Sequence, residues 1–138
     1  MRTIDQNLAV AGDHLRAGDP LRAETVAREL VTQAPNLPRA WFILAVAAQL
    51  QGKLDEAGGH YRNVLKLDPN NTEALNNLGA SLITMRHPDE AEAFIRRAIA
   101  LAPGYAQARN NLGNALQAQG RHEEAIACYH EALRIHPA

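Results

Sequence analysis

Between residues 106 and 138 the chain alternates apolar and polar positions at helical intervals. Leu112, Ala115, Leu116 and Gln119 recur at three- and four-residue spacing, which predicts an amphipathic helix. Gly120 marks its end, because glycine takes the left-handed cap conformation without a side-chain clash. A second helix is expected after it, with Ala125, Ile126, Tyr129, Ala132 and Leu133 along its buried side. Glu123 and Glu124 stand in its first turn, where the helix dipole favours negative charge. Pro137 closes the pair, since proline cannot continue a helix interior.

The same plan recurs upstream. Prolines stand at Pro35, Pro69, Pro103 and Pro137, 34 residues apart, and Ala23, Ala57, Ala91 and Ala125 keep the same interval. Gly18, Gly52 and Gly120 follow it, with Arg86 at the one place where glycine is missing. Leu44, Leu78 and Leu112 follow it as well, with Val10 in the first copy. A fixed period of this length marks a repeat architecture. The pattern predicts helix pairs at about 4–17 with 20–33, 38–51 with 54–67, 72–85 with 88–101, and 106–119 with 122–135. Pro20 and Pro88 sit at matching points near a helix start, where a missing N–H costs nothing. No linker is left over, so the chain reads as one domain over 1–138, with repeats at about 4–37, 38–71, 72–105 and 106–138.

Composition sharpens this into an all-α fold. Apolar residues make up 46% of the chain and alanine dominates them, which suits helices whose backbones approach closely. Charge adds mainly exclusions. The 14 Lys and Arg against 15 Asp and Glu leave a net charge of -1, and aromatics are 4%, so neither phosphate binding nor base stacking is favoured. No apolar run approaches the roughly 18 residues of a membrane span. The N-terminus, Met1-Arg2-Thr3-Ile4-Asp5, shows no secretory pattern, and the single Cys128 suits a reducing compartment. The expectation is a cytoplasmic protein that engages no nucleic acid and no membrane.

These residues resemble the tetratricopeptide repeat family, whose motif spans 34 residues. The second copy carries Trp41, Leu44, Ala45, Ala48, Ala57, Tyr61, Val64 and Pro69. The third has Leu75, Leu78-Gly79, Leu82, Ala91, Ile95, Ala98 and Pro103. The fourth is closest, with Leu112-Gly113, Leu116, Ala125, Tyr129, Ala132 and Pro137, and Arg109 in place of the motif tryptophan. The first is worn, as a terminal repeat with one neighbour can be. The resemblance implies a right-handed α-solenoid of four helix-turn-helix units, eight antiparallel helices in all, with a concave groove lined by the first helix of each pair.

By that resemblance the groove takes a protein or peptide segment. Its facing residues are expected to include Phe42 and Val46 in the N-terminal half and Asn76, Asn77, Asn110, Asn111 and Asn114 in the C-terminal half. Asn77 and Asn111 stand where repeats similar to those of O-linked N-acetylglucosamine transferases carry an asparagine ladder. A carboxamide offers both a donor and an acceptor, so it can hold a peptide group whatever the side chain. A carboxylate clamp of the kind that holds chaperone tails is not expected, because its lysine positions are held by Leu8, Phe42, Asn76 and Asn110.

The chain stops right after Pro137, leaving Ile126, Tyr129 and Leu133 without a following helix. Two expectations follow: a piece of a longer protein, or a module that pairs with another copy through this last repeat. In the first case the repeats would recruit substrate to a glycosyltransferase- or sulfotransferase-like domain. No catalytic function, cofactor or metal is expected of the chain itself. His14, His60, His87, His122, His130 and His136 are scattered without ligand spacing, and Cys128 has no base partner. Trp41, Tyr61 and Tyr129 are read as packing residues at motif positions.

Overall fold

The computed structural model describes residues 1–137. Among them are eight α-helices and no strand: α1 (Ile4–Arg16), α2 (Pro20–Gln33), α3 (Pro38–Leu50), α4 (Leu54–Leu67), α5 (Thr72–Thr84), α6 (Pro88–Leu101), α7 (Ala106–Ala118) and α8 (His122–Ile135). The even-numbered helices fill their expected spans. Each odd-numbered helix ends one residue short of its expected span, and the turn chemistry explains this.

Ala17, Gln51, Met85 and Gln119 are C-caps with ψ near zero, and the residue after each lies at positive φ. The next amide then reaches back to a carbonyl five residues earlier, as in Asp19 to His14, Lys53 to Ala48, His87 to Leu82 and Arg121 to Leu116. Together with the bonds from Gly18 to Leu15 and from Gly120 to Gln117, this is the Schellman closure, which satisfies the last carbonyls of each helix. The even-numbered helices stop by a different device. Ala34, Asp68, Ala102 and His136 all sit at φ near -140°. Each precedes a proline, whose ring excludes the helical conformation for the residue before it. Side chains cap several starts: Thr3 and Gln6 form a reciprocal capping box, while Asp19 and Asn71 accept from Arg22 and Ala74.

The chain divides into two compact units, Met1–Pro69 and Asn70–Ala138. In the first, α1 pairs with α2 and α3 with α4, and α2 packs on α3. Its core joins Ala11, Val26, Ala27 and Leu30 to Ala40, Ile43 and Leu44, with Leu8 and Trp41 packed against them. In the second unit, α5 pairs with α6 and α7 with α8, α6 packs on α7, and α5 lies beside α7. Small residues set the approach of the paired helices. A Cβ on Gly113 would stand 2.5 Å from the Tyr129 ring, so α7 and α8 meet this closely only with glycine there. No helix of the described residues is long and apolar enough to cross a membrane.

Candidate functional site

In the second unit the asparagines of α5 and α7 divide into inward and outward sets. Asn76 is fully buried. Its amide nitrogen donates to Tyr105 Oη at 3.3 Å, and its carbonyl accepts from Asn111 Nδ2 at 2.9 Å. Both sides of its carboxamide are engaged inside the unit, so it offers no free surface to a ligand, unlike its expected place on the groove. Burial pushes the Tyr105 hydroxyl up from its ordinary value, with the Asn76 bond acting in the opposite direction. Asn77 and Asn111 are half-buried, and Asn110 and Asn114 are exposed. Asn110, Asn114 and Gln117 follow at helical spacing and form an exposed polar stripe on α7. Tyr129 from α8 reaches this stripe: its Oη lies 2.6 Å from Asn114 Oδ1 and 2.9 Å from Gln117 Oε1.

In the first unit the corresponding face is apolar. Phe42 and Val46 are half-buried on α3. The Phe42 ring meets Tyr61 edge-on, with centroids 5.9 Å apart. Tyr61 is fully buried and its hydroxyl donates to Gln49 Oε1. Trp41 lies beside His60, with ring centroids 5.9 Å apart, and its indole N–H donates to the Pro35 carbonyl at 2.8 Å. Burial, and after it the charge of Arg28, lower the His60 pKa.

The last helix carries a correction. Ala125 and Ala132 are buried as expected, but Ile126 and Leu133 are 52% and 53% exposed, and Tyr129 is half-buried. The α7 partner covers the line through Ala125, Tyr129 and Ala132, so Ile126 and Leu133, each one step off that line, turn outward. Tyr129, Ala132 and Leu133 line an open cavity of about 370 Å³ together with Asn110 of α7. Cys128 is half-buried, and burial pushes its thiol up, away from the reactive thiolate form.

Sequence reasoning missed one pair of clusters. Glu24 on α2 accepts from Lys53 Nζ at 3.0 Å and Gln51 Nε2 at 3.1 Å, and pairs with Arg28 at 3.5 Å. Glu92 on α6 accepts from Arg121 Nη1 at 2.7 Å, Gln119 Nε2 at 3.0 Å and Arg96 Nε at 2.8 Å. Each cluster ties the second helix of one repeat to the turn of the next within a unit. Burial alone would raise both carboxyls. Their hydrogen bonds and cationic neighbours outweigh it, and both are held below the ordinary value. The four positions of one cluster each lie 68 residues from those of the other, twice the repeat length. A comparison at double the period would have revealed them.

A chain of helical hairpins closed by recurring glycine and proline stops, with alanine between the helices, is a helical-repeat protein. More narrowly, it carries tetratricopeptide repeats: family models described as tetratricopeptide repeat match residues 9–72, 48–100 and 106–138. The fold is all-α and of that kind. The crystal structure of MamA superposes with a TM-score of 0.90 at 21% identity, covering 96% of this chain and 78% of that one. MamA from Desulfovibrio magneticus RS-1 gives 0.89 at 25%, covering 97% and 76%. Pseudomonas aeruginosa PilF gives 0.87 at 24%, covering 96% and 61%. No curated protein matches the sequence.

Proposed function

We propose that the chain is a non-catalytic protein-interaction module that takes a peptide or protein segment on the faces that the first helices of its repeats present within each unit. The observation that carries this reading is the exposed stripe of α7, where Asn110, Asn114 and Gln117 present carboxamides on a helix already held by α6 and α8. Asn77 and Asn111 extend it in the second unit, in the manner of the asparagine-bearing repeats named above. Phe42 and Val46 form the apolar counterpart in the first. A preformed surface of this type binds with little rearrangement.

The test is selection of short peptides from a random library on the full chain, beside a variant with Asn77, Asn110 and Asn114 changed to Ala. Asn76 is left intact because its bonds are internal. Peptides that bind wild type and are lost by the folded variant support the reading; a library that yields no binder sinks it. A second reading is favoured by Ile126 and Leu133, both exposed on α8, with Leu133 lining the cavity. Here the last repeat pairs with another copy. Light scattering across a concentration series separates the two, because an Ile126→Ser, Leu133→Ser variant would abolish association in the second case alone.

A further inference from the structure

A cavity of about 960 Å³ opens in the first unit between α2 and the segment that enters α1. That volume is in the range of small-molecule sites. Arg28 and Thr32 form one column of its α2 wall and Glu29 and Gln33 the next, since residues four apart share a helix face. Arg2 and Asn7 supply the other wall, and a ring of bonds fixes it. Asn7, 1% exposed, donates from Nδ2 to Gln33 Oε1 at 2.8 Å and accepts from Arg2 Nη1 at 3.4 Å. Gln33 Nε2 in turn donates to the Arg2 carbonyl at 3.2 Å. The repeat itself does not demand this ring. The other copies replace the pair Asn7 and Gln33 by Trp41 and Leu67, by Leu75 and Leu101, and by Arg109 and Ile135.

Three charged side chains border the space. Arg2 meets the neutral Asn7 oxygen, and among the described residues neither Arg2 nor Glu29 has an ion-pair partner, each other included. Arg28 shares Glu24 at 3.5 Å, but that carboxylate is already bonded to Lys53 and Gln51, and the Arg28 side chain stays 55% exposed. Thr32 spends its hydroxyl proton on the Arg28 carbonyl at 3.0 Å. Recognition of charge therefore falls to two guanidiniums and one carboxylate. A guanidinium presents a planar fork of N–H donors that matches a carboxylate. Glu29 can only accept, so it favours a cationic donor beside that carboxylate and repels a purely anionic ligand.

We infer that this cavity is a site for a small zwitterion of the amino-acid class, its carboxylate held by Arg2 and Arg28 and its ammonium group by Glu29. The site uses none of the residues assigned above to a polypeptide partner, so the two readings stand or fall separately.

The experiment titrates the twenty free α-amino acids, one at a time, into the full chain and follows backbone amide shifts by NMR. At least one is expected to bind, with saturable shifts at residues 2–7 and 28–33. Its N-acetyl derivative and its carboxamide should each bind about tenfold more weakly, as for loss of one charge-assisted hydrogen bond. Arg2→Gln should weaken the free amino acid by a similar factor. Glu29→Gln should do so too while leaving the N-acetyl derivative unaffected, a split that a merely structural role would not give. Both residues are exposed, so urea unfolding of the two variants should match wild type. The inference is overturned by any of three results: no saturable shift at these residues from any of the twenty, equal binding of the capped derivatives, or full affinity in both variants.

Discussion

Asn76 and Asn77 are adjacent, yet one is sealed in and the other half-exposed. One step along a helix turns a side chain by about 100°, and a carboxamide carries no mark of which way it faces. That is why the C-terminal asparagines could be read as a set from sequence but not sorted into structural and surface members. Arg109 is a case where sequence did point to the structure. It replaces the motif tryptophan, and its guanidinium donates to the Pro103 carbonyl at 3.0 and 3.1 Å, just as Trp41 donates to Pro35. Two substitutions test burial at this scale. Asn76→Ala leaves Tyr105 and Asn111 without their bonds and should cost about 1–3 kcal/mol in urea unfolding. Ser81→Ala should stabilise by about 1 kcal/mol, because the Ser81 hydroxyl is buried without a partner where the second and fourth copies have Ala47 and Ala115. His60 makes a pH-dependent case. Its folded pKa lies below the ordinary 6.5, so protonation favours the unfolded chain. Its contribution is complete above pH 6.5 and is lost as pH falls through that value toward the folded pKa. Thermal unfolding of a His60→Gln variant should therefore decline less between neutral pH and pH 5 than that of wild type.

At the scale of the element, the helices were legible because their stops are chemical. Four prolines and three glycines mark where backbone geometry must change, and those constraints act locally. The residue lost from each odd-numbered helix was less legible, since it comes from bonds that tighten the last turn. Arg86 is the informative exception. It holds φ at 68°, the conformation that Gly18, Gly52 and Gly120 adopt in the other turns, and its closure from His87 to Leu82 is intact. A side chain in this region carries a strain of about 1 kcal/mol that glycine lacks. Arg86→Gly should therefore raise stability by about 1 kcal/mol, less the entropy of the freer unfolded chain. Gly120→Ala should lower it by a similar amount. Chemical unfolding of both variants checks this, and a destabilised Arg86→Gly would mean that the arginine side chain contributes more than its backbone costs.

At the scale of the whole molecule the chain shows two periods, and they arise from different physics. The 34-residue period is written in alanine, glycine and proline, which every repeat needs so that its helices can approach and stop. The 68-residue period is written in Glu24, Gln51 and Lys53 and again in Glu92, Gln119 and Arg121. It was illegible at the shorter interval because the intervening copies carry Gly58, Met85 and His87 at the corresponding positions. Each unit thus has one carboxylate clamp between its two repeats. Glu24→Gln and Glu92→Gln should each cost about 1–2 kcal/mol at neutral pH, below the figure for a sealed ion pair because Lys53 and Arg121 remain in contact with water. The clamps share no residue, so the cost of the double variant should equal the two single costs to within about 0.5 kcal/mol. Both carboxyls have folded pKa values below the ordinary 4.5. Their contribution is therefore present above that pH and is lost as pH falls through the lower folded values. Unfolding curves for wild type and the double variant should converge there. If the two costs proved strongly non-additive, the two clamps could not be acting independently.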